Sequence, residues 1–402
     1  MRSHSHLNTA YSITRGFDGS LPLSIYLKQF FQAQKKYGSK DRREISNLCF
    51  SYYRLGSAFH DLDPMERILL ARFLCSNLPS SVLAELKPEW NEQMSCEVKQ
   101  KFTIVGGDPE ILSIFPFLAA LSEEIEAGSF SLSLTTQPYL YLRARPGRKT
   151  IVLLQLESAD LDFSLIGEDC IQLSNGAKIE ELIHIDEEAV VQDLSSQRVL
   201  DDLSKHFKPD NQFSAWDCCA ASGGKSILLR DRFPSTQITV SDVRESILHN
   251  LQNRFRRAGI TVYKSLVLDL SKGRSINEHF DLIICDAPCS GSGTWSRTPE
   301  QMIFFTEQKL QHYSDLQKKI AVNACRQLKP DGVFIYITCS VFKKENEEVA
   351  AYIASETGLR LEEMRYYKGY QTKADTLFTA LFIASKENEL NKKSSRSNTG
   401  PA

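Results

Sequence analysis

Two cysteines and an aspartate stand where reactive side chains would be useful. Asp286-Ala287-Pro288-Cys289-Ser290-Gly291-Ser292-Gly293 follows one apolar run, and Thr338-Cys339-Ser340 follows another. Both runs read as strands of a sheet in which strand and helix alternate, so their carboxyl ends share one rim. Thiolate is the best soft nucleophile that side chains offer for attack on a pyrimidine ring carbon. A lone cysteine is more often packing than catalysis. Two cysteines on one rim beside Asp286 favour covalent chemistry.

A third segment shares that rim: Asp217-Cys218-Cys219-Ala220-Ala221-Ser222-Gly223-Gly224-Lys225-Ser226. Glycines at a strand end let backbone approach a ligand closely. A Walker A loop would need glycine where Cys219 stands, and a dinucleotide fingerprint would need G-x-G-x-x-G in place of the adjacent pair. What remains is a nucleoside site with no phosphate to cradle, and S-adenosylmethionine meets that description. Asp242 follows the next strand, about twenty residues on, where an acid accepts from ribose hydroxyls. Asp269 ends the third strand, within reach of an adenine. Each acid alone reads equally as a helix cap; as a spaced set after the glycine loop they favour a ligand.

These residues need a scaffold. From Phe213 the strands fall near 213–218, 237–240, 261–268, 280–285 and 333–337, with helices near 225–232, 244–257, 307–328 and 347–356, and one more strand over 377–384. This predicts an α/β, Rossmann-like domain with a parallel sheet over 199–386. Upstream, Leu23, Ile25, Tyr26, Phe30 and Phe31, then Ile45, Leu48, Cys49, Tyr52 and Tyr53, recur at helical spacing, so an all-helical domain is expected over 1–128. Between them, 129–198 reads as a small α+β module, with strands at 139–145, 151–156 and 170–173. On the first of these, Leu140, Leu142 and Ala144 share the core face. Tyr139, Tyr141, Arg143 and Arg145 share the other, suited to RNA or to solvent. The Lys/Ser/Asn-rich end, 387–402, is expected to be disordered.

Composition sets outer bounds. The chain has 402 residues, 42% hydrophobic, and its 48 basic and 50 acidic side chains leave a net charge of −2. That length calls for two or three domains. The near balance excludes a globally basic nucleic-acid binder but not a basic face. Lys35, Lys36, Lys40, Arg42 and Arg43 cluster early, and Arg254, Arg256 and Arg257 later; solvated helix faces explain either cluster equally well. No apolar stretch reaches the ~20 residues of a membrane helix, and no secretory signal is visible, so a cytoplasmic protein is expected. The ten cysteines lack zinc-site spacing and form no C-x-x-C pair, so no metal is expected.

The segments DCCAASGGKS, DAPCSGSG, HYSDLQKKI and TCSVFKKENEEV resemble the consecutive motifs of the RNA cytosine-C5 methyltransferase family, in particular its bacterial Sun/Fmu (RsmB-like) 16S rRNA type. The resemblance covers about 190–385. The segments LPLSIYLKQFF and GSKDRREISNLCFSYYRLG resemble the NusB-like domain of those enzymes; QPYLYLRARP and VVQDLSSQ resemble their small RNA-binding module and its junction. The resemblance implies that Cys339 attacks C6 of a cytosine and that Asp286 holds the N3/N4 edge of the base. Cys289 would assist removal of the C5 proton and release of the adduct, and Lys225 would order the site around Asp286. Cofactor contacts would come from Cys219, Ala220, Gly223, Gly224, Lys225, Asp242, Arg244, Asp269 and Asp286. The partner would be RNA, ribosomal by analogy, and a monomer suffices. A tRNA-directed enzyme and a non-catalytic ribosome-assembly factor remain as alternatives. So does the assignment seen in DNA cytosine-C5 methyltransferases, in which the Pro-Cys cysteine, here Cys289, is the nucleophile.

Two places depart from the family pattern. Ser222 stands where proline is usual, and Ala374-Asp375-Thr376-Leu377-Phe378 replaces a Gly-x-Asp-Gly-Phe-Phe strand. Trp295 and Arg297 read equally as RNA contacts or loop packing. Asn346 reads equally as a helix cap or a site residue. Lys343 and Lys344 face either phosphate or solvent.

Overall fold

The structure, a computed structural model, describes residues 2–274 and 276–385, so the expected 387–402 tail lies outside it. Two compact units are present among the described residues: 2–138 with 292–307 and 370–373, and 139–291 with 308–369 and 374–385. No helix among the described residues is long and apolar enough to cross a membrane.

The first unit is helical. Its main helices are Arg2–Gly16, Leu23–Ala33, Ser39–Arg54 and Pro64–Leu74, with shorter ones following. The first of these escapes a sequence reading because its RSHSH start is polar. Leu7, Ala10 and Ile13, three residues apart, nevertheless form a buried stripe. Pro64–Leu74 starts as physical chemistry directs: the Asp63 carboxylate accepts from the Met65 and Glu66 amides, and proline fills the first turn. Gly56 has φ +51°, and a Cβ there would meet the Ile114 carbonyl oxygen at 1.8 Å. Only glycine fits that turn.

The stretch after the Pro-Cys loop is integral to this unit's core. Trp295 is 1% exposed, with ring centroids 5.8 Å from Phe115, 6.0 Å from Phe117 and 5.2 Å from Phe305. Arg54, also buried, donates to the Leu134 and Ser296 carbonyls at 3.1 and 2.7 Å. The Glu300 carboxylate accepts from the Leu23 amide at 3.1 Å. Trp295 is therefore packing, and the RNA-stacking alternative falls.

The second unit holds two sheets. The smaller has strands β1 (Leu140–Ala144), β2 (Phe163–Ile166), β3 (Cys170–Leu173) and β4 (Ala189–Val191), in the order β2-β3-β1-β4. The strand expected at 151–156 is instead part of the helix Lys149–Ser158. Its buried residues, Val152 and Leu156, are four apart, a spacing that six residues of apolar run could not separate from a strand. The outer face of β1 is also buried. Arg143 is 6% exposed, and both Arg143 and Arg145 grip the Asp231 carboxylate at 2.6 and 2.7 Å. These arginines serve the fold and not an open RNA surface.

The larger sheet holds β5 (Ser214–Asp217), β6 (Gln237–Asp242), β7 (Tyr263–Val267), β8 (Phe280–Asp286), β9 (Leu328–Thr338), β10 (Arg360–Lys368) and β11 (Thr376–Ile383). Their order is β10-β11-β9-β8-β5-β6-β7. Strands β5 to β9 pair in parallel, whereas β11 runs antiparallel to both β9 and β10. This is the Rossmann-like doubly wound arrangement expected. The strand order reverses between β5 and β8, and a ligand crevice opens outside the carboxyl ends there. The divergent 374–378 segment still enters β11. β10, which alternates charged and apolar residues, was not anticipated.

Candidate functional site

The glycine loop leaves β5 at this switch point. Ala221 (φ +45°) and Gly223 (φ +84°) both take left-handed conformations, folding the chain back before the helix Gly224–Arg232. A Cβ on Gly223 would lie 2.8 Å from Phe255 and 2.9 Å from Leu251, so this glycine sets how closely the loop packs on the helix Glu245–Arg257. Ser222, standing in for proline, is held from outside: Arg254 donates to its hydroxyl and carbonyl oxygens at 3.0 and 3.2 Å. Arg254 and Arg257 in turn grip Asp186 at 2.7 and 2.6 Å. That later basic cluster is thus largely spent inside the fold.

Acids ring the crevice. The Asp242 carboxylate, at the end of β6, accepts from the Ala221 amide at 3.1 Å and pairs with the Arg244 guanidinium at 3.0 Å. Asp269, past β7, accepts from the Ser271 amide at 3.1 Å and caps a short 3-10 turn. Its carboxyl is held low by that serine, with Lys272 assisting. Asp217, which the sequence reading left without a role, is 1% exposed at the end of β5. The Ser226 hydroxyl donates to its Oδ2 at 2.6 Å, while its Oδ1 has no partner. Burial pushes its carboxyl up to about 7.

Asp286 ends β8. The Lys225 ammonium donates to its Oδ2 at 2.6 Å, with the lysine side chain 13% and the aspartate 30% exposed. Burial works to lower the Lys225 pKa, but the Asp286 carboxylate outweighs it and the lysine is held above its usual range. Strand β9 lies beside β8, with Asp286 opposite Ile337, so Cys339 emerges next to the Pro-Cys loop. The two sulfurs are 3.4 Å apart. The Cys289 thiol is pushed well up, first by its hydrogen bond with Cys339, then by burial and by the charges of Cys339 and Glu345.

Three side chains that the sequence reading passed over complete the site. Glu345 is fully buried beneath both cysteine loops. Gln317 and Ser314, on the helix Glu307–Cys325, reach the same place: Gln317 donates to the Pro288 carbonyl at 3.0 Å and to Glu345 at 2.9 Å. Ser314 donates to the Lys344 carbonyl at 3.0 Å. Two buried polar residues three apart on one helix face were the available signal. Glu345 lies inside the TCSVFKKENEEV segment that carries the resemblance, but its charged run KKENEE reads as a solvated surface and hides its burial. Asn346 does not cap through its side chain; its amide donates to the Ser340 carbonyl at 2.8 Å and so fixes the end of the Cys339 strand.

Elsewhere, Cys218, Cys219 and Cys285 bring their sulfurs within 4.8 Å of one another, a group able to hold a metal ion. Chain spacing hid this; the pairing of β5 with β8 creates it. Lys343 is exposed and Lys344 and Arg297 half-buried.

Residues 205–389 match the family model described as 16S rRNA methyltransferase RsmB/F. The ribosomal RNA small subunit methyltransferase B of Klebsiella pneumoniae subsp. pneumoniae is 30% identical over 193 residues, 46% of this chain and 43% of the relative. That of Xylella fastidiosa is 29% identical over 238 residues, 58% of this chain and 55% of the relative. The chain thus spans about half the length of the curated relatives it matches. Among solved structures, PH0851 superposes with a TM-score of 0.67 at 19% identity, covering 94% of this chain and 98% of that one. NSun6 from Pyrococcus horikoshii, crystallised with SFG, gives 0.58 at 15% identity, covering 67% and 100%. These two likenesses establish the fold.

Proposed function

We propose, from the match of residues 205–389 to the family model described as 16S rRNA methyltransferase RsmB/F, that this protein methylates C5 of a cytosine in ribosomal RNA. S-adenosylmethionine is the donor and Cys339 the nucleophile. The observation that carries this reading is the sulfur pair at 3.4 Å, with the Cys289 thiol pushed up by its hydrogen bond to Cys339 and by burial.

The crevice fits the cofactor. Asp242, Asp269 and Asp286 stand at or just past strand ends, where they would repel a phosphate but suit an ammonium, a sulfonium and ribose hydroxyls. The first amides of the helix Gly224–Arg232 have no intrahelical acceptor and suit a carboxylate. Asp242, held by Ala221 and Arg244, would take the ribose, and Asp269 would meet the adenine edge, with Cys219 and Ala220 lining the loop. When bound, the cofactor supplies an electrophilic methyl group.

The chain's own residues do the rest. A flipped cytosine enters with its N3/N4 edge on Asp286, where Lys225 offsets the charge that develops on the ring. The Cys339 thiol gives up its proton to solvent and its sulfur bonds to C6, and the C5=C6 electron pair becomes available at C5 to form the new carbon–methyl bond. Once Cys339 is bonded to carbon, its hydrogen bond and charge no longer raise the Cys289 thiol. Cys289 then loses its proton to solvent and takes the C5 proton. The C5=C6 bond re-forms and the Cys339 sulfur leaves.

Methyl-labelled cofactor incubated with protein and small-subunit rRNA, followed by bisulfite sequencing, tests the reading. One protected cytosine in rRNA supports it. Label confined to tRNA, or to a base other than cytosine, overturns it.

A further inference from the structure

One carboxylate holds the residue after each cysteine. Glu345 accepts from the Ser290 amide at 2.8 Å and from the Ser290 hydroxyl. It also accepts from the Ser340 hydroxyl and, at 2.9 Å, from Gln317. Ser290 follows Cys289 and Ser340 follows Cys339. We propose that Glu345 is the positioning residue that sets the two thiols against each other, by clamping both cysteine loops onto one buried carboxylate.

The clamp is over-determined. A carboxylate has about four acceptor sites, and four protein donors fill them here. Around it, the Tyr336 hydroxyl donates to the Glu345 carbonyl at 2.7 Å, and Gln317 also holds the Pro288 carbonyl at 3.0 Å. The two cysteine loops belong to different strands, joined at their base where the Ala287 amide meets the Ile337 carbonyl at 3.0 Å. Past that point the Cys289 and Cys339 sulfurs meet at 3.4 Å, the Ser290 hydroxyl reaches that of Ser340 at 3.3 Å, and the Glu345 carboxylate accepts from both serines. Charge-assisted hydrogen bonds of this kind are short and directional, which suits a site where about an ångström of misplacement costs on the order of 100-fold in rate.

The buried charge has a second effect. Glu345 stays close enough to Cys289 to help hold that thiol up, and burial raises the carboxyl of Glu345 itself against its four hydrogen bonds. The other titratable groups that bear on this cluster are Cys339, Tyr313 and Tyr336, with the Lys225–Asp286 pair beyond. Glu345 therefore both places Cys289 and helps to hold its thiol up.

This inference rests on the two-cysteine reading, and its test separates the two. Glu345→Gln keeps the shape but removes the charge and leaves one acceptor oxygen; Glu345→Ala removes the anchor. In a Cys339→Ala background, iodoacetamide labelling of Cys289 is followed by peptide mass spectrometry across pH. The clamp predicts that Glu345→Gln shifts labelling to lower pH. In the Cys339-containing protein it predicts a kcat loss on the order of 10- to 100-fold, with cofactor Kd unchanged. An unmoved labelling curve with wild-type kcat overturns the proposal, as does a kcat loss matched by loss of cofactor binding with the curve unmoved. If Glu345→Ala does not fold, Glu345→Gln decides alone. Labelling needs neither RNA nor methyl donor, so a shifted curve in a protein that methylates nothing supports the clamp while sinking the cytosine reading.

Discussion

Asp217→Asn should make this protein more stable at neutral and alkaline pH, and not at acid pH. Asp217 is 1% exposed at the end of β5, with one oxygen on Ser226 at 2.6 Å and the other unpaired. Burial, reinforced by Asp286, pushes its carboxyl from 3.8 to about 7, with Ser226 and Lys225 opposing. Between those two values the unfolded chain gives up this proton and the folded protein keeps it. The folded state therefore binds more protons, and stability from this group falls as pH rises from about 4 to about 7, then stays flat. The full rise is worth on the order of 4 kcal/mol. Asparagine does not titrate and can still hydrogen-bond Ser226, so the variant escapes the penalty. Thermal melts of both proteins from pH 4.5 to pH 8 read the difference. The Tm gap in favour of the variant should grow to about 10 °C by pH 8 and shrink toward zero near pH 4.5. A gap that is the same at both ends would show that Asp217 ionises normally in the fold, and the argument for a poised acid at the cofactor crevice would fail.

Two other perturbations separate chemistry from packing. Lys225→Met keeps the stem but leaves Asp286 without the ammonium now 2.6 Å away; single-turnover methyl transfer should fall on the order of 100-fold, and an unchanged rate would remove Lys225 from the site. Trp295→Ala, in the core of the helical unit, should cost about 3–5 kcal/mol in chemical denaturation, and a stable variant with weakened RNA binding would restore the stacking role.

Much of the large sheet was legible because apolar strands alternate with amphipathic helices, and a sheet built so must gather its carboxyl ends on one rim. Cys289, Cys339, Asp286 and Lys225 could therefore be placed together without coordinates. What escaped did so for physical reasons. The helix Arg2–Gly16 begins with polar residues, and the helix Lys149–Ser158 carries an apolar run too short to show its period. β1 alternates in pattern, yet both of its faces are covered, because Asp231 neutralises the arginines that alternation assigned to the surface. Asp217 and Glu345 were hidden more deeply. Their importance lies in partners far along the chain or inside a charged run, and no local spacing reports burial of an acid. Ser222 illustrates the converse: the missing proline is compensated by Arg254, a residue 32 positions away.

The central claim is the division of labour between the two thiols, and the decisive measurement compares Cys339→Ala with Cys289→Ala. Each is incubated with rRNA and S-adenosylmethionine, then run on a denaturing gel. The account predicts that Cys339→Ala forms no covalent band and transfers no methyl group, while Cys289→Ala accumulates a protein–RNA adduct that it cannot release. A Cys339→Ala protein that still methylates, beside an inert Cys289→Ala protein without adduct, would make Cys289 the nucleophile and contradict the account.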